Sequence, residues 1–367
     1  MSYPLDMLAQ QKDTTGILQI VFTSDAHYGI ERKVFKGHEI ADGHTVNTEM
    51  IKKINTLPEI IFPNDSGVKA GRNIGAIDYI IEGGDIANRM ELPYQSASVS
   101  WDQFDLDYIK GISLKNHLGQ PAQLLMVPGN HDISDAIGFY KPMKPHTDAT
   151  SMVNIYNLMM QPSTPLTNGT YDYKRDKINY SKNIDGIHFV FITLWPDSAQ
   201  RIWMEKDLQE ISIDMPVIIF THDQPECEAK HFTSPNSVDR FENLLSECYT
   251  DGTTANTDGG TTIIEQQGWI SFLKKHPNIK AYFHGNSNWN QFYVYTGLCK
   301  EVALNTFRVD SPMKGKYSSK DETKLSFQVI SIDTNSLIMT VRECLWNTDP
   351  LNEAKPLQWG DSKTISL

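Results

Sequence analysis

Four apolar runs in this chain end abruptly in side chains able to hold a cation or move a proton. Residues 17–22 lead into Asp25-Ala26-His27, residues 77–81 into Gly83-Gly84-Asp85, residues 124–127 into Gly129-Asn130-His131-Asp132, and residues 217–220 into His222. A single acid or histidine after a strand is ordinarily a cap or a solvated surface group. Its recurrence behind one apolar run after another argues for a shared site. Carboxylate oxygens, an amide oxygen and imidazole nitrogens are donors that divalent cations take. A bound cation lowers the pKa of a water it holds, and a histidine beside it can take or give a proton.

The elements that must position these residues follow from the same runs. Short apolar stretches bounded by Gly and Pro read as strands covered on both faces, and α/β sheets place their ligands beyond the carboxyl ends of such strands. Helical patterns occupy residues 48–57, 101–117, 150–160, 237–248 and 262–275. Residues 29–47, which carry His38 and His44, read as a loop over the site, and residues 133–185 as an insertion beside it. A short strand at 279–283 leads into His284-Gly285-Asn286-Ser287-Asn288. Residues 325–332 and 337–342, separated by Asp333-Thr334-Asn335-Ser336, alternate as an antiparallel hairpin. The fold class is α/β, in one domain over residues 1–367, with a core at about 17–290 and a β-rich extension at about 300–345.

At 367 residues the chain buries a large core, and its formal charge of -12 argues against a long nucleic acid as partner. A small metabolite is the more plausible partner. Cys227, Cys248, Cys299 and Cys344 form no C-x-x-C pair, which suits reduced thiols in a cytoplasm. No apolar run approaches the roughly 20 residues of a membrane span. Nothing in the residues indicates an oligomeric state.

Taken together, Asp25-Ala26-His27, Gly84-Asp85 through Arg89, Gly129-Asn130-His131-Asp132 and Thr221-His222 resemble the blocks of the calcineurin-like metallophosphoesterases, over about residues 18–288. The resemblance implies a four-layer β-sandwich flanked by helices, with two divalent cations at the strand ends and a bridging hydroxide as the attacker on a phosphomonoester or phosphodiester. It also implies that Asp25 and His27 bind the first metal, that Asp85 bridges, and that Asn130 and His222 bind the second. His131 would be the catalytic histidine, with Asp132 orienting it or capping the next turn.

One block departs from the family pattern. Where members usually carry G-H-x-H, this chain has Gly285-Asn286-Ser287-Asn288. An amide oxygen is a harder, weaker donor toward zinc than imidazole, so manganese or magnesium is expected, with Zn, Fe or Ca as alternatives. His284 shares a strand face with Asn286 and Asn288 and is a candidate for the missing imidazole or for a supporting contact. Arg89, Arg308 and Lys314 are candidates to meet a substrate phosphate. The paired asparagines also leave open a catalytically weak relative that serves as a binding or scaffold protein. Against that stands His131, which a pure scaffold does not need.

Overall fold

The computed structural model describes residues 16–87, 95–133, 148–173, 175–226 and 263–367. The chain enters β1 (Ile17–Thr23), forms a small ladder of β2 (Glu31–Arg32) with β3 (Ala41–Asp42), and continues through α1 (Gly43–Ile54), β4 (Tyr79–Glu82), α2 (Ala97–Phe104), β5 (Gln123–Met126), the single turn α3 (Asn130–Ile133) and α4 (Thr150–Met160). There follow β6 (Tyr180–Ile184), β7 (Ile187–Phe191), α5 (Ser198–Leu208), β8 (Val217–Phe220), α6 (Ile263–Lys275), β9 (Ile279–His284), β10 (Gln291–Tyr295), β11 (Leu304–Arg308), β12 (Ser326–Asp333), β13 (Ile338–Leu345) and β14 (Gln358–Ser366).

These strands make two six-stranded sheets, ordered β14-β13-β12-β1-β4-β5 and β10-β11-β9-β8-β7-β6. In the first, β1, β4 and β5 are parallel and β12 to β14 are antiparallel. In the second, β7, β8, β9 and β11 are parallel, with β6 and β10 antiparallel at the edges. The period of two along each strand divides the core. Leu18, Ile20 and Phe22 pack with Phe191, Phe220 and Phe283 between the sheets. Val21, Ile80, Val190 and Ile219 turn the other way, into a cluster with Met50 of α1, Phe104 of α2, Met204 of α5 and Trp269 of α6. Phe220 stacks on Phe283 at 4.7 Å and meets Phe22 edge-on at 5.4 Å, so the ring sits at the centre of the sheet-to-sheet contact. Each such buried side chain contributes about 1.5–3 kcal/mol of transfer free energy. The architecture is mixed α/β, as expected.

Several elements differ from the expectation. Helix α1 begins at Gly43, five residues before the anticipated 48, because Asp42 accepts the Thr45 N–H at 2.8 Å and caps it. His44 therefore lies on a helix, paired with Asp107 at 2.9 Å, rather than on a loop. Part of the expected 133–185 insertion is framework: Met152 and Ile155 of α4 enter the core, and β6 pairs with β7. The 325–342 hairpin exists as β12 and β13, and it sits beside β1 inside the first sheet. Helix α5 and strand β14 were not anticipated. The expected helix at 237–248 lies outside the described residues. Among those residues no helix is long and apolar enough to cross a membrane.

Candidate metal centre

Strands β1, β4 and β5 of one sheet and β8 and β9 of the other release their chains at a common edge, and the released loops are bonded to one another. The Asp25 N–H donates to Gly84 O at 2.8 Å, the His27 N–H to Asp85 O at 2.9 Å, and the Gly285 N–H to His222 O at 3.1 Å. Glycine is required where the loops touch. A Cβ on Gly129 would overlap the Asp85 carboxylate and nitrogen, and one on Gly285 would overlap Asp25 Oδ2. Asp25, His27, Asp85, Asn286 and Asn288 all take positive φ, between 45° and 63°. Such backbone costs roughly 1–3 kcal/mol per residue and gathers at functional sites.

The result is a buried group of donors. Asp25, Asp85 and His222 each offer one ligand atom, and these atoms lie within 4.8 Å of one another. His222 Nε2 is 3.3 Å from Asp85 Oδ2. His27 Nε2 is 3.5 Å from Asp25 Oδ1 and 3.7 Å from Asp85 Oδ2. His222 Nδ1 donates to Gly83 O at 2.8 Å, which fixes the ring and turns Nε2 toward the carboxylates. Asp25 Oδ1, both nitrogens of His27 and His222 Nε2 are buried and make no hydrogen bond. Buried polar atoms are normally satisfied, so four convergent exceptions point to a ligand. Carboxylate oxygens with imidazole nitrogens suit a divalent cation.

Charge in the cluster is strongly perturbed. Burial and the nearby Lys314 drive His27 down to about 3 despite Asp25 and Asp85, so its ring is neutral and able to ligate at neutral pH. Burial alone would raise Asp85, but His222, His131 and His27 together hold it well below the usual carboxylate range. Burial likewise opposes charge on His222, and Asp85 and Asp25 outweigh it, carrying the ring well above its ordinary value. Burial and Asp85 push Asp132 up to about 7.

The remaining candidates fall into distinct places. Asp132 accepts the backbone N–H groups of Asp85 at 2.8 Å, Ile86 at 3.1 Å and Gly129 at 2.9 Å, so it ties the Asp85 and Asn130 loops together. The His131 N–H donates to Asp85 Oδ1 at 2.8 Å, and its Nε2 lies 3.4 Å from Lys314 Nζ. An ammonium can only donate, so Nε2 accepts there. Asn130 is buried on the first turn after β5. Asn286 uses its backbone N–H to hold Asp25 Oδ2 at 2.9 Å, and its amide nitrogen donates to Gln224 Oε1 at 3.3 Å. The Asn288 amide donates to Asn286 O. His284 faces elsewhere: Nδ1 donates to Gly285 O at 2.9 Å and Nε2 meets the Tyr293 hydroxyl at 3.2 Å. Arg308 stacks on Trp289, and Arg89 lies outside the described residues. Sequence reasoning missed Gln224, which also accepts the Ser287 hydroxyl at 2.8 Å. Its position two residues after His222, on the same face of an extended chain, was the available signal.

Compared with known proteins, residues 18–285 match the family model of the calcineurin-like phosphoesterases. The chain belongs to that family. The match takes in every strand of the parallel cores except β11 and ends inside the Gly285-to-Asn288 block where the chain departs from the usual pattern. No curated protein matches it. Among solved structures, a dimetal phosphatase from Danio rerio has 9% identity and a TM-score of 0.51, over 95% of this chain and 98% of that one. The calcineurin-like phosphoesterase YfkN from Bacillus subtilis has 12% identity and a TM-score of 0.32, over 95% and 90%. The first likeness supports the fold. Calcineurin-like phosphoesterases use divalent metal ions, and the Asp25, Asp85 and His222 group is compatible with one.

Proposed function

We propose that this chain hydrolyses small phosphomonoesters or phosphodiesters with two divalent cations, manganese or magnesium in preference to zinc, in a reducing cytoplasm. The observation that carries this reading is the convergence of Asp25, Asp85 and His222, with Asp25 Oδ1 and His222 Nε2 buried and without a hydrogen-bond partner. When bound, the cations would neutralise charge on the phosphoryl oxygens and activate a water.

Asp25, His27, Asp85, Asn130 and His222 hold them, with Asn286 and Asn288 contributing oxygen rather than imidazole nitrogen. His131 gives the leaving oxygen a proton from Nε2 after that nitrogen, which here accepts from Lys314 at 3.4 Å, has been protonated. Lys314 also brings positive charge to the phosphoryl group. Asp132 keeps the Asp85 and Asn130 loops in register.

The test is hydrolysis of 4-nitrophenyl phosphate and bis(4-nitrophenyl) phosphate with added manganese. His131→Ala is expected to lower the rate by about two to four orders of magnitude with metal content unchanged. Equal rates in wild type and variant overturn the assignment of His131. Two tightly held zinc ions per chain would contradict the oxygen-donor preference. A second reading, a binding protein without turnover, is favoured by Asn286 and Asn288 alone. It predicts metal uptake with neither substrate cleaved.

A further inference from the structure

The chemistry proposed above uses Lys314 but leaves a second pair of cations beside it without a role. Strand β11 ends at Arg308, whose register neighbours are His284 on β9 and Gln291 on β10. Its guanidinium carbon lies 3.8 Å from the centre of the Trp289 ring, and Nη1 donates to Gln291 Oε1 at 2.9 Å. Lys316 Nζ lies 4.0 Å from the same ring and 5.4 Å from that of Tyr317. The Lys316 N–H donates to Asn288 O at 2.6 Å, which ties this loop to the metal-ligand block. Ser311 at the start of the loop donates to Asp25 O at 2.8 Å. The cationic wall is therefore anchored to two loops of the reaction centre.

Among the described residues its charge is only partly balanced, by Glu226 acting on Arg308 through space and through the Tyr293 hydroxyl between them. Among the described residues no carboxylate lies within ion-pair distance of Arg308 or Lys316. Glu226, an acid on the same wall, accepts the Tyr293 hydroxyl at 3.1 Å. Arg308 is 7% exposed and its Nε makes no hydrogen bond. In a chain of net charge -12, two cations sharing one indole with no carboxylate at ion-pair distance among the described residues repel each other, and a visiting anion relieves that repulsion. Lys314 stands at His131, the group assigned to the leaving oxygen, and Lys316 lies two residues further along the same loop.

We propose that Trp289, Arg308 and Lys316 form a second anion subsite, which selects phosphoesters whose leaving group carries a further phosphate or carboxylate. This rests on the hydrolytic reading above and narrows its substrate class. A ring-sized spacer between the two anions would lie along Trp289 and Tyr317, while Arg308 and Lys316 supply the charged donors.

The experiment compares phenyl phosphate, 4-carboxyphenyl phosphate and 1,4-phenylene bisphosphate in the manganese-loaded protein, wild type and Lys316→Met. Lys316 is exposed, so this variant keeps the ring contact and removes only the charge. The ratio of kcat/KM for the bisphosphate to that for phenyl phosphate is expected to fall about tenfold in the variant. A parallel fall for the carboxylate compound assigns the subsite to oxyanions in general; a fall for the bisphosphate alone assigns it to phosphate. Ratios unchanged for both compounds overturn the subsite. Calorimetric binding of 1,4-phenylenebisphosphonate separates the two proposals. If wild type cleaves nothing yet binds this compound about tenfold more tightly than Lys316→Met does, hydrolysis fails and the subsite stands. If it cleaves phenyl phosphate but both proteins bind the bisphosphonate alike, the subsite fails and hydrolysis stands.

Discussion

Two buried charged clusters in this molecule are built on opposite principles. Around Arg342 on β13 every donor nitrogen has an acceptor. Nε and Nη2 meet Asp65 at 2.7 and 2.9 Å, Nη2 also meets Val68 O at 2.9 Å, and Nη1 meets Ser331 Oγ at 3.4 Å. Asp65 in turn accepts the Gly67 N–H at 3.0 Å and the Ser362 hydroxyl at 2.6 Å. Around Asp85 the carboxylates converge, the backbone is held at positive φ, and ligand atoms of Asp25, His27 and His222 have no hydrogen-bond partner. The first cluster is complete in itself and joins the 61–73 loop to the first sheet. The second has room for a cation to complete it. A satisfied network marks a stabilising site; a strained and unsatisfied one marks a reactive site.

The largest effect expected from this contrast is on turnover. Asp85→Asn keeps the shape of the side chain but removes the charge shared among His222, His131 and His27. It should lower manganese-dependent hydrolysis of an aryl phosphate by about a thousandfold, close to 4 kcal/mol in barrier. Its metal-free urea midpoint should fall by less than that of the Asp65 variant described next. Near-normal turnover with a large loss of stability would reverse the roles assigned to the two clusters.

Asp65→Ala is the counterpart. It leaves a guanidinium that is fully buried and stacked 4.2 Å from the Phe62 ring centre without its carboxylate. Breaking a buried pair in this way costs about 3–5 kcal/mol. Urea unfolding would read that loss directly, while kcat/KM measured well below the melting temperature should stay within about twofold, since surviving folded molecules keep the Asp85 loop. A loss under about 1 kcal/mol would mean that the pair is no stronger than a surface ion pair.

The difference between the clusters also explains what was legible in the chain. Asp25, Asp85, Asn130 and His222 could be found because each follows an apolar strand, and strand periodicity is a local signal. The Arg342 network could not, since it depends on a loop at Asp65 meeting β13 far along the sequence. The contacts of Gln224, which depend on β8 lying beside β9, and of Trp289 and Lys316, which depend on the pairing of β9, β10 and β11, are non-local too. Asp132 was identified, but the N–H groups it accepts from Asp85, Ile86 and Ala87 depend on the Asp85 loop lying against it. His284 shared a strand face with Asn286 on paper, yet the turn at Gly285 and the positive φ of Asn286 broke that alternation. Strand β14 escaped notice because it is mostly exposed and polar, and α1 was shortened because Gly43 and His44 weaken its apolar pattern.

Gln224 offers a smaller perturbation that sharpens the contrast. By accepting from the Asn286 amide nitrogen and the Ser287 hydroxyl, it turns the amide oxygen of Asn286 away from itself. Gln224→Leu frees that amide to rotate, and manganese affinity should drop about tenfold, as for other outer-shell partners. A manganese titration followed by calorimetry measures it, with the urea midpoint as control. Unchanged affinity would remove Gln224 from the site.

The smallest effect lies in the pH dependence of the Arg342 cluster. Burial tends to raise Asp65, but hydrogen bonds from Arg342, Ser362 and Gly67 outweigh it and hold the carboxyl well below its ordinary value. A carboxyl depressed in the folded state contributes stability that is present above the unfolded pKa, about 3.9, and is lost as pH falls below it. The stability difference between wild type and Asp65→Asn should therefore be flat from about pH 8 to pH 5 and shrink below about pH 4. Urea midpoints of the two proteins across that range test the sign. A difference that grew on acidification would mean that Asp65 is protonated in the folded protein, and Arg342 would then be held by Val68 and Ser331 rather than by charge.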